Sequence, residues 1–262
     1  MAKIIDGKKI AERVKDAIAK EIFELQGPRP NLAIILVGER SDSELYVSLK
    51  EKEAKKVGID TCLYRMADNV PEEELLETIE FLNRDQNLEG ILLQLPLPEH
   101  FDTDKIIKAI DPLKDVDGFH PEHPEYIVSP VLASVKACLN EIKFESEGKR
   151  ACLLYNSEIF GGELKKLMKD LGVEVSSKKE MKNADLIITA LGDPKSIKGE
   201  QIKQDAVIID VGITKTDEGV FGDVDFESVK DKVSYITPVP GGIGPMTIAF
   251  LFDNVLKIYK RR

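Results

Sequence analysis

The alternation of short apolar runs with longer amphipathic segments is the feature of this chain that most constrains its fold. Strands of a parallel sheet covered by helices on both faces are continuous runs of aliphatic and β-branched residues, and a crossover joins each strand to the next. In the first half, strands are predicted at 32–37, 61–66 and 90–95, and helices at about 8–25, 42–57 and 71–84. This order predicts an α/β fold with parallel sheets.

A second series of apolar runs follows the charged stretch 145–150, with strands predicted at 151–154, 172–175, 185–191 and 206–212. A chain of 262 residues, 42% of them hydrophobic, can build two cores of this kind. The stretch 118–130 is rich in proline, histidine and glutamate and is the predicted hinge. We therefore expect two α/β lobes.

Composition argues against several classes of partner. The 47 acidic residues exceed the 37 lysines and arginines, and the formal charge of -10 repels nucleic acid and anionic membrane surfaces. No apolar run approaches the roughly 20 residues that span a bilayer, and the first residues lack a signal-peptide core, so a soluble cytoplasmic protein is expected. Three cysteines without a CxxC pair predict reduced thiols, and His120 and His123 predict no metal site because no carboxylate stands at ligand spacing.

One lysine is a candidate for proton transfer. The helix predicted after the first long strand begins with Ser41 and Glu44 spaced as a capping box, beside the strand's carboxyl end, where α/β proteins bind ligands. Tyr46 and Lys50 are four residues apart and share a face of this helix. A buried lysine loses proton affinity and can exchange protons near neutral pH. The pattern also fits a solvated helix face, which is the commoner place for a lysine.

Three further segments could carry chemistry. Gln94 ends the strand 90–95, where it could bind a polar heterocycle or a lysine, or be a satisfied strand end. Asp117 lies in the acidic loop 111–119 and could accept paired N–H donors of a heterocycle, or only shape a turn. The segment 238–247 has three glycines and three prolines, which predict a rigid turn with bare backbone open to a flat ligand, or else a connector.

The second lobe contains a candidate dinucleotide site. A Rossmann-like unit holds pyrophosphate at the turn after its first strand, against a helix N-terminus. Here that turn, 155–157, lacks the GxGxxG signature. After the next strand, Ser176, Ser177 and Lys178 stand where an NAD enzyme often places an acid, and these side chains suit a 2′-phosphate or simply form a polar loop.

The chain resembles the bifunctional methylenetetrahydrofolate dehydrogenase/methenyltetrahydrofolate cyclohydrolase family nearly from end to end. Several unusual motifs occur in the family's order, which makes a chance match improbable. They are Ile5-Asp6-Gly7-Lys8, Tyr46-Val47 with Lys50 and Gly58, and the segments 90–98, 114–121, 210–213 and 238–247.

The resemblance implies two lobes with the active site in the cleft between them. The N-terminal α/β folate-binding lobe would comprise 1–118, completed by the C-terminal helix 246–262. The Rossmann-like, parallel-sheet dinucleotide lobe would comprise 119–245. A homodimer is also implied.

The resemblance implies oxidation of 5,10-methylenetetrahydrofolate with NADP, NAD being possible, and then hydrolysis of the methenyl product to 10-formyltetrahydrofolate. Lys50 would transfer protons, Gln94 would support it, and Tyr46 would lie against the folate rings and position the lysine. Asp117 would anchor the pterin. The residues expected along the folate pocket are Pro240, Gly241, Gly242, Ile243 and Gly244. The residues expected to contact the dinucleotide are Tyr155, Asn156, Ser157, Ser176, Ser177, Lys178, Gly192, Gly212, Ile213 and Thr214.

The departures from the family pattern fall on the dinucleotide side. The turn 155–157 replaces a usual Gly-Arg/Ala-Ser, and the stretch 175–184 is shorter than usual. A second interpretation is therefore an enzyme of the same fold that keeps the cyclohydrolase while its dehydrogenase is weakened or uses NAD. A third is a folate-binding paralogue without turnover, against which Lys50 argues, because binding alone needs no proton-transfer residue.

Overall fold

The computed structural model describes all residues from Met1 to Arg262 and divides into two compact units, each made from two stretches of the chain. The three-stranded unit comprises Glu12–Pro130 and Ile248–Arg262. The six-stranded unit comprises Met1–Ala11 and Val131–Thr247. Both main sheets are parallel, so the predicted α/β fold class is confirmed.

The three-stranded unit is built around β2 (Asn31–Val37), which pairs in parallel with β3 (Asp60–Met66) and β4 (Gly90–Leu93). The helices that contribute to this unit are α1 (Gly7–Leu25), α2 (Ser41–Val57), α3 (Glu72–Arg84), α4 (Thr103–Ala109) and α8 (Ile243–Tyr259). Helices α1 and α8 also contribute residues to the six-stranded unit.

Strand β2 is buried on both faces because its alternate side chains enter two different cores. Leu32, Ile34 and Leu36 belong to a cluster with Phe252 of α8. The residues between them belong to a second cluster, with Leu75 of α3. Since successive side chains of a strand point to opposite faces, a central parallel strand must be apolar throughout, which is why the run 32–37 is unbroken.

The six-stranded unit has a fully parallel sheet with the strand order β1-β11-β8-β7-β5-β6. Its strands are β1 (Lys3–Ile4), β5 (Arg150–Tyr155), β6 (Glu174–Ser176), β7 (Leu186–Ala190), β8 (Val207–Asp210) and β11 (Tyr235–Ile236). A separate hairpin consists of β9 (Thr214–Thr216) and β10 (Gly219–Phe221). The helices are α5 (Pro130–Glu141), α6 (Glu158–Asp170), α7 (Phe226–Val229) and two 3₁₀ helices (Lys178–Asn183 and Gly199–Gln201).

The strand order reverses between β5 and β7. The chain passes from β5 outward to the edge strand β6 and then returns to β7 on the other side of β5. Ligands of open parallel sheets bind at the carboxyl ends of the strands, next to such a switch point. The turn that follows β5, the candidate dinucleotide site, lies at this point, and its binding of a dinucleotide stays a prediction.

The compact units differ from the predicted lobes in three places, of which the smallest is 246–247, the start of the predicted C-terminal helix, which belongs to the six-stranded unit. Met1–Ala11 belongs to the six-stranded unit, because β1 pairs with β11 in the register Lys3↔Tyr235. The stretch 119–130 stays with the three-stranded unit. Asn254 of α8 fixes it there by donating hydrogen bonds to the carbonyls of Val116 and Val128, at 2.9 and 2.8 Å.

The predicted capping box at the start of α2 is wrong. Ser41 lies inside the helix, and the cap position is Arg40, which provides no side-chain cap. Instead, Asp42 accepts a hydrogen bond from the backbone N–H of Ser43 at 3.0 Å and pairs with the Arg40 guanidinium. Glu44 reaches across to Arg65 of β3, with 2.8 Å between the charged atoms. The Glu44 carboxylate, which the local spacing predicted for the cap, instead forms an ion pair with a residue of β3.

None of the helices is both long and apolar enough to cross a membrane. The three cysteines are free thiols; Cys138 and Cys152 are buried and Cys62 is exposed.

Candidate active site

Lys50 lies on α2, the helix that follows the carboxyl end of β2. Its side chain is half-buried, and Nζ donates a hydrogen bond to Oε1 of Gln94 at 2.9 Å. Burial lowers the pKa of the Lys50 amine, and the negative charge of Asp117 opposes that shift. The amine is thus easier to deprotonate than that of a solvated lysine, as a proton-transfer group requires.

Gln94 follows β4, and its amide is held in one orientation. Its backbone N–H donates to the carbonyl of Ile35 at 2.9 Å, and its Nε2 donates to the carbonyl of Leu95 at 2.7 Å. The side chain is only 8% exposed. With Nε2 engaged by Leu95, the amide oxygen faces Lys50, so Gln94 acts as an acceptor for this amine.

Asp117 lies in a loop that buried polar groups hold rigid. Asp115, only 3% exposed, accepts hydrogen bonds from the backbone N–H groups of Asp117 at 3.1 Å and His120 at 2.7 Å. The ammonium of Lys114 donates to three carbonyls at the end of α3, which anchors the start of the loop. Those carbonyls belong to Leu82, Asn83 and Asp85.

Burial raises the pKa of Asp117 to about 6, the positive charge of Lys50 acts in the opposite direction, and Asp115 raises it further. Burial therefore raises the pKa of the acid and lowers the pKa of the amine, so that both pKa values move toward pH 7. Pairs of groups with such opposed shifts are typical of sites that exchange protons.

Tyr46 lies one helical turn before Lys50 on the same side of α2. Its side chain is 38% exposed, so one surface of the ring is available to a ligand. Burial of the rest of the ring, together with the charge of Asp42, raises the pKa of its hydroxyl. The hydroxyl is therefore a neutral donor near pH 7.

The glycine- and proline-rich segment 238–247 lies in the six-stranded unit, and other backbone packs closely against Gly242. A Cβ on Gly7 would lie 1.8 Å from the carbonyl oxygen of Gly242, and a Cβ on Gly242 would lie 2.6 Å from the carbonyl oxygen of Pro238. Gly241 adopts a φ of 105°, which favours glycine. Among the glycines of this segment, only Gly244 faces open space. The sequence predicted that the bare backbone here would contact a ligand, but at Gly242 it packs against Gly7 at the start of α1. Contact of this segment with folate stays a prediction.

Side chains of the turn after β5 hydrogen-bond to the neighbouring strand end and to the start of α6. Asn156 Nδ2 donates to the carbonyl of Leu191, the residue after β7, at 2.9 Å. Ser157 is the N-cap of α6 and accepts from the N–H of Phe160 at 3.4 Å. A Cβ on Gly161 would lie 2.2 Å from the Tyr155 ring, so glycine lets that ring pack on α6.

The polar residues after β6 are partly engaged within the protein. Ser176 Oγ donates to the carbonyl of Ala151 at 3.3 Å. The hydroxyl and the backbone N–H of Ser177 both donate to one carboxylate oxygen of Glu180, at 2.9 and 3.1 Å. An acid thus occupies the donors that the sequence suggested for a 2′-phosphate, while Lys178 remains beside them.

The remaining predicted dinucleotide residues follow β7 and β8. Gly192 has a φ of 69° and comes directly after Leu191, which Asn156 contacts. Gly212 packs against the Asp223 carboxylate, and Ile213 is 49% exposed just before the hairpin strand that Thr214 begins. The α6 N-terminus, the left-handed Gly192 and the exposed Ile213 thus lie at neighbouring strand ends, an arrangement that fits a dinucleotide.

His120 and His123, which the sequence analysis considered as metal ligands, use ring nitrogens in local contacts. His120 Nδ1 accepts from the N–H of Glu122 at 3.0 Å, and His123 Nδ1 lies 3.2 Å from the carbonyl oxygen of Pro124. The chain has no cluster of three or more His, Cys, Asp or Glu side chains placed to hold a metal ion.

Two family models match the sequence and together span most of it. The catalytic domain of tetrahydrofolate dehydrogenase/cyclohydrolase matches residues 5–117, and the NAD(P)-binding domain of the same enzymes matches residues 130–262. The chain belongs to the tetrahydrofolate dehydrogenase/cyclohydrolase family.

Relatives of this family are similar over their full length. The bifunctional protein FolD of Aquifex aeolicus is 42% identical over 281 residues, covering 100% of this chain and 97% of its own. That of Nitratiruptor is 40% identical over 277 residues, covering 99% and 98%. The crystal structure of the FolD methylenetetrahydrofolate dehydrogenase/cyclohydrolase from Campylobacter jejuni superposes with a TM-score of 0.95 at 36% identity, covering both chains completely. The Trypanosoma brucei enzyme, complexed with NADP and an inhibitor, gives a TM-score of 0.93 at 32% identity, covering 99% and 98%.

Membership of the tetrahydrofolate dehydrogenase/cyclohydrolase family confirms the family and the enzyme class expected from the motifs. Three residues that shape the candidate site escaped sequence reasoning, namely Lys114, Asp115 and Glu180. Lys114 and Asp115 stand among turn-forming residues, and their burial depends on how α3 and the loop pack. Glu180 offered a local signal, because a serine followed three residues later by glutamate is a capping box.

Proposed function

We propose that this member of the tetrahydrofolate dehydrogenase/cyclohydrolase family oxidises 5,10-methylenetetrahydrofolate with NADP and hydrolyses the methenyl product to 10-formyltetrahydrofolate. The observation that carries the proposal is the half-buried amine of Lys50, held 2.9 Å from the Gln94 oxygen with its pKa lowered by burial. A lysine that only solvates a helix face needs neither feature.

Hydrolysis requires a base and then an acid at the same place, and one amine can serve as both. Neutral Lys50 accepts a proton from the water that adds to the methenyl carbon. The ammonium so formed donates this proton to the folate nitrogen as its bond to the former methenyl carbon breaks, while the hydroxyl of the adduct loses its proton to solvent and becomes the formyl carbonyl. Gln94 keeps the amine aimed by accepting one of its hydrogen bonds, while Asp117 accepts N–H donors of the pterin and the exposed surface of Tyr46 lies against its rings.

The dehydrogenase step depends on positioning, and bound NADP supplies the hydride acceptor. The start of α6 at Ser157 and the turn at Gly192 would hold the pyrophosphate, with Ile213 along the dinucleotide. Lys178 would face the 2′-phosphate. The family's NAD(P)-binding domain and the NADP complex of the Trypanosoma brucei relative support this assignment.

Purified protein should reduce NADP when given methylenetetrahydrofolate, with the methenyl absorbance rising and then decaying as hydrolysis follows. Lys50→Met should abolish the decay and keep the wild-type circular dichroism spectrum. Lys52→Met is the matched control, since Lys52 is an exposed lysine on the same helix. Unchanged hydrolysis in Lys50→Met, or the same loss in Lys52→Met, would remove Lys50 from the mechanism.

One observation favours the second candidate, a dehydrogenase that uses NAD. Glu180 already holds both donors of Ser177, and an acid near the ribose is the arrangement that NAD enzymes use. Parallel assays with NADP and NAD decide between the two cofactors. If the protein hydrolyses the methenyl substrate but reduces neither nucleotide, only the cyclohydrolase part of the proposal remains.

We also propose that the protein is a cytoplasmic homodimer that binds neither nucleic acid nor membranes. The family resemblance supports the dimer, and the formal charge of -10 supports the two exclusions. Light scattering of the purified protein measures the assembly, and a monomer mass at micromolar concentration would contradict it.

A further inference from the structure

Two buried aspartates at the strand ends of the six-stranded unit have no role in the steps above. Asp210 is the last residue of β8 and is 2% exposed. Asp223 lies just after β10, on the segment that returns from the hairpin, and is fully buried.

Asp223 fastens the turn after β7 to this returning segment. One carboxylate oxygen accepts from the Thr189 hydroxyl and from the N–H of Leu191, both at 2.7 Å. The other oxygen accepts from the N–H of Asp193 at 3.0 Å. The backbone on both sides of Gly192 is therefore held by one side chain.

Asp210 makes the corresponding connection for the segment after β8. It accepts from the N–H of Gly212 at 3.0 Å and from the N–H groups of Asp223 and Val224 at 3.2 and 2.9 Å. Two carboxylates thus cross-link three stretches of backbone, after β7, after β8 and after β10.

The cross-link leaves no room for side chains at the glycines beside it. A Cβ on Gly212 would lie 2.3 Å from the carboxyl carbon of Asp223, and a Cβ on Gly222 would lie 2.1 Å from an oxygen of Asp210. Neither carboxylate is in an ion pair. Burying acidic groups without a cation is costly, and proteins keep such arrangements mostly where geometry serves function.

We infer that Asp210 and Asp223 are positioning residues for the dehydrogenase, which set the turn at Gly192 and the segment at 211–214 for the dinucleotide. The inference rests on the proposed function, because it takes these strand ends as the dinucleotide site. It predicts an effect on dinucleotide binding and hydride transfer, while hydrolysis of the methenyl substrate, which needs no nucleotide, is spared.

The test is Asp223→Asn, which keeps the shape of the side chain and loses an acceptor for the donors at 189 and 191. Calorimetric titration with NADP should show a Kd at least tenfold higher than for the wild-type protein. The KM for NADP should rise similarly, with the KM for folate and the hydrolysis rate within twofold of wild type. Asp231→Asn is the matched control, an exposed aspartate of the same unit whose side chain is 75% exposed.

A milder pair of variants decides the matter if Asp223→Asn does not fold. Thr189→Val removes the hydroxyl donor and should raise the Kd for NADP about three- to tenfold, while Thr189→Ser keeps a hydroxyl and should restore wild-type binding. Unchanged NADP binding in Asp223→Asn, or in Thr189→Val when Asp223→Asn does not fold, would overturn the inference. So would a parallel loss of both activities in these variants. Wild-type protein that binds neither NADP nor NAD would instead overturn the proposed dehydrogenase, and this inference with it.

Discussion

Replacing Gln94 with glutamate tests the proposed base more sharply than removing it. The substitution changes one amide nitrogen to oxygen and places a carboxylate where a neutral oxygen now accepts from Lys50 at 2.9 Å. A negative charge at this position stabilises the ammonium form of Lys50. The proposed base would then be protonated at the pH where the wild-type enzyme works.

The size of the effect follows from Coulomb's law. Two unit charges about 4 Å apart interact by roughly 4 kcal/mol at an effective dielectric constant of about 20. Desolvation of the new carboxylate offsets part of this. About 2 to 3 kcal/mol remains, which lowers the neutral fraction of Lys50 by roughly 30- to 150-fold at a fixed pH, since each 1.4 kcal/mol is a factor of ten.

The assay is the decay of methenyltetrahydrofolate absorbance across a range of pH. Gln94→Glu should lose roughly 30- to 150-fold in hydrolysis near neutral pH and recover as the pH rises, because the amine is then deprotonated. Gln94→Leu removes the acceptor without adding charge, so its loss should not be recovered at high pH.

Gln204→Glu adds the same charge at an exposed position and should behave as wild type. A uniform loss in Gln94→Glu at every pH would refute the electrostatic reasoning. Unchanged activity would refute the assignment of Lys50 as the base.

Two further predictions concern stability. Asn254→Ala leaves the buried carbonyl of Val116 and the part-buried carbonyl of Val128 without their donor and should lower the free energy of unfolding by roughly 1 to 3 kcal/mol in urea titrations, a result that a change below 0.5 kcal/mol would contradict. Burial and then Asp223 raise the pKa of Asp210 from 3.8 to about 7, so between about pH 4 and pH 7 the folded state keeps a proton that the unfolded chain releases, and stability falls as the pH rises through this window. Asp210→Asn removes the group, and the difference in Tm between pH 5 and pH 8 should shrink; an unchanged difference would show that Asp210 does not carry this pH dependence.

Much of the fold could be predicted because its signals are local. The unbroken run 32–37 requires cover on both faces, and that requirement predicts the central strand of a parallel sheet. Lys50 and Tyr46 could be paired from their spacing alone, since residues four apart on a helix share a face. The order of the motifs was enough to indicate the family.

Contacts between distant parts of the chain could not be predicted in this way. Lys50 and Gln94 are 44 residues apart, and the orientation of the Gln94 amide depends on the Leu95 carbonyl. The capping box at Ser41 failed because Glu44 found Arg65 across the fold. In the same way, β1 belongs to the six-stranded unit only because β11, more than 200 residues later, offers it an edge.

The amino-acid sequence by itself determined the parallel α/β class and the shared helix face of Tyr46 and Lys50, because periodicity and spacing act between near neighbours. The proton-transfer role expected of Lys50 came from the family's motifs. Tertiary structure alone decided how deeply Lys50 is buried, which oxygen faces it, and that Asp210 and Asp223 meet behind the turns proposed for the dinucleotide. Burial and the pairing of polar groups depend on which distant segments pack together, and no local pattern specifies that.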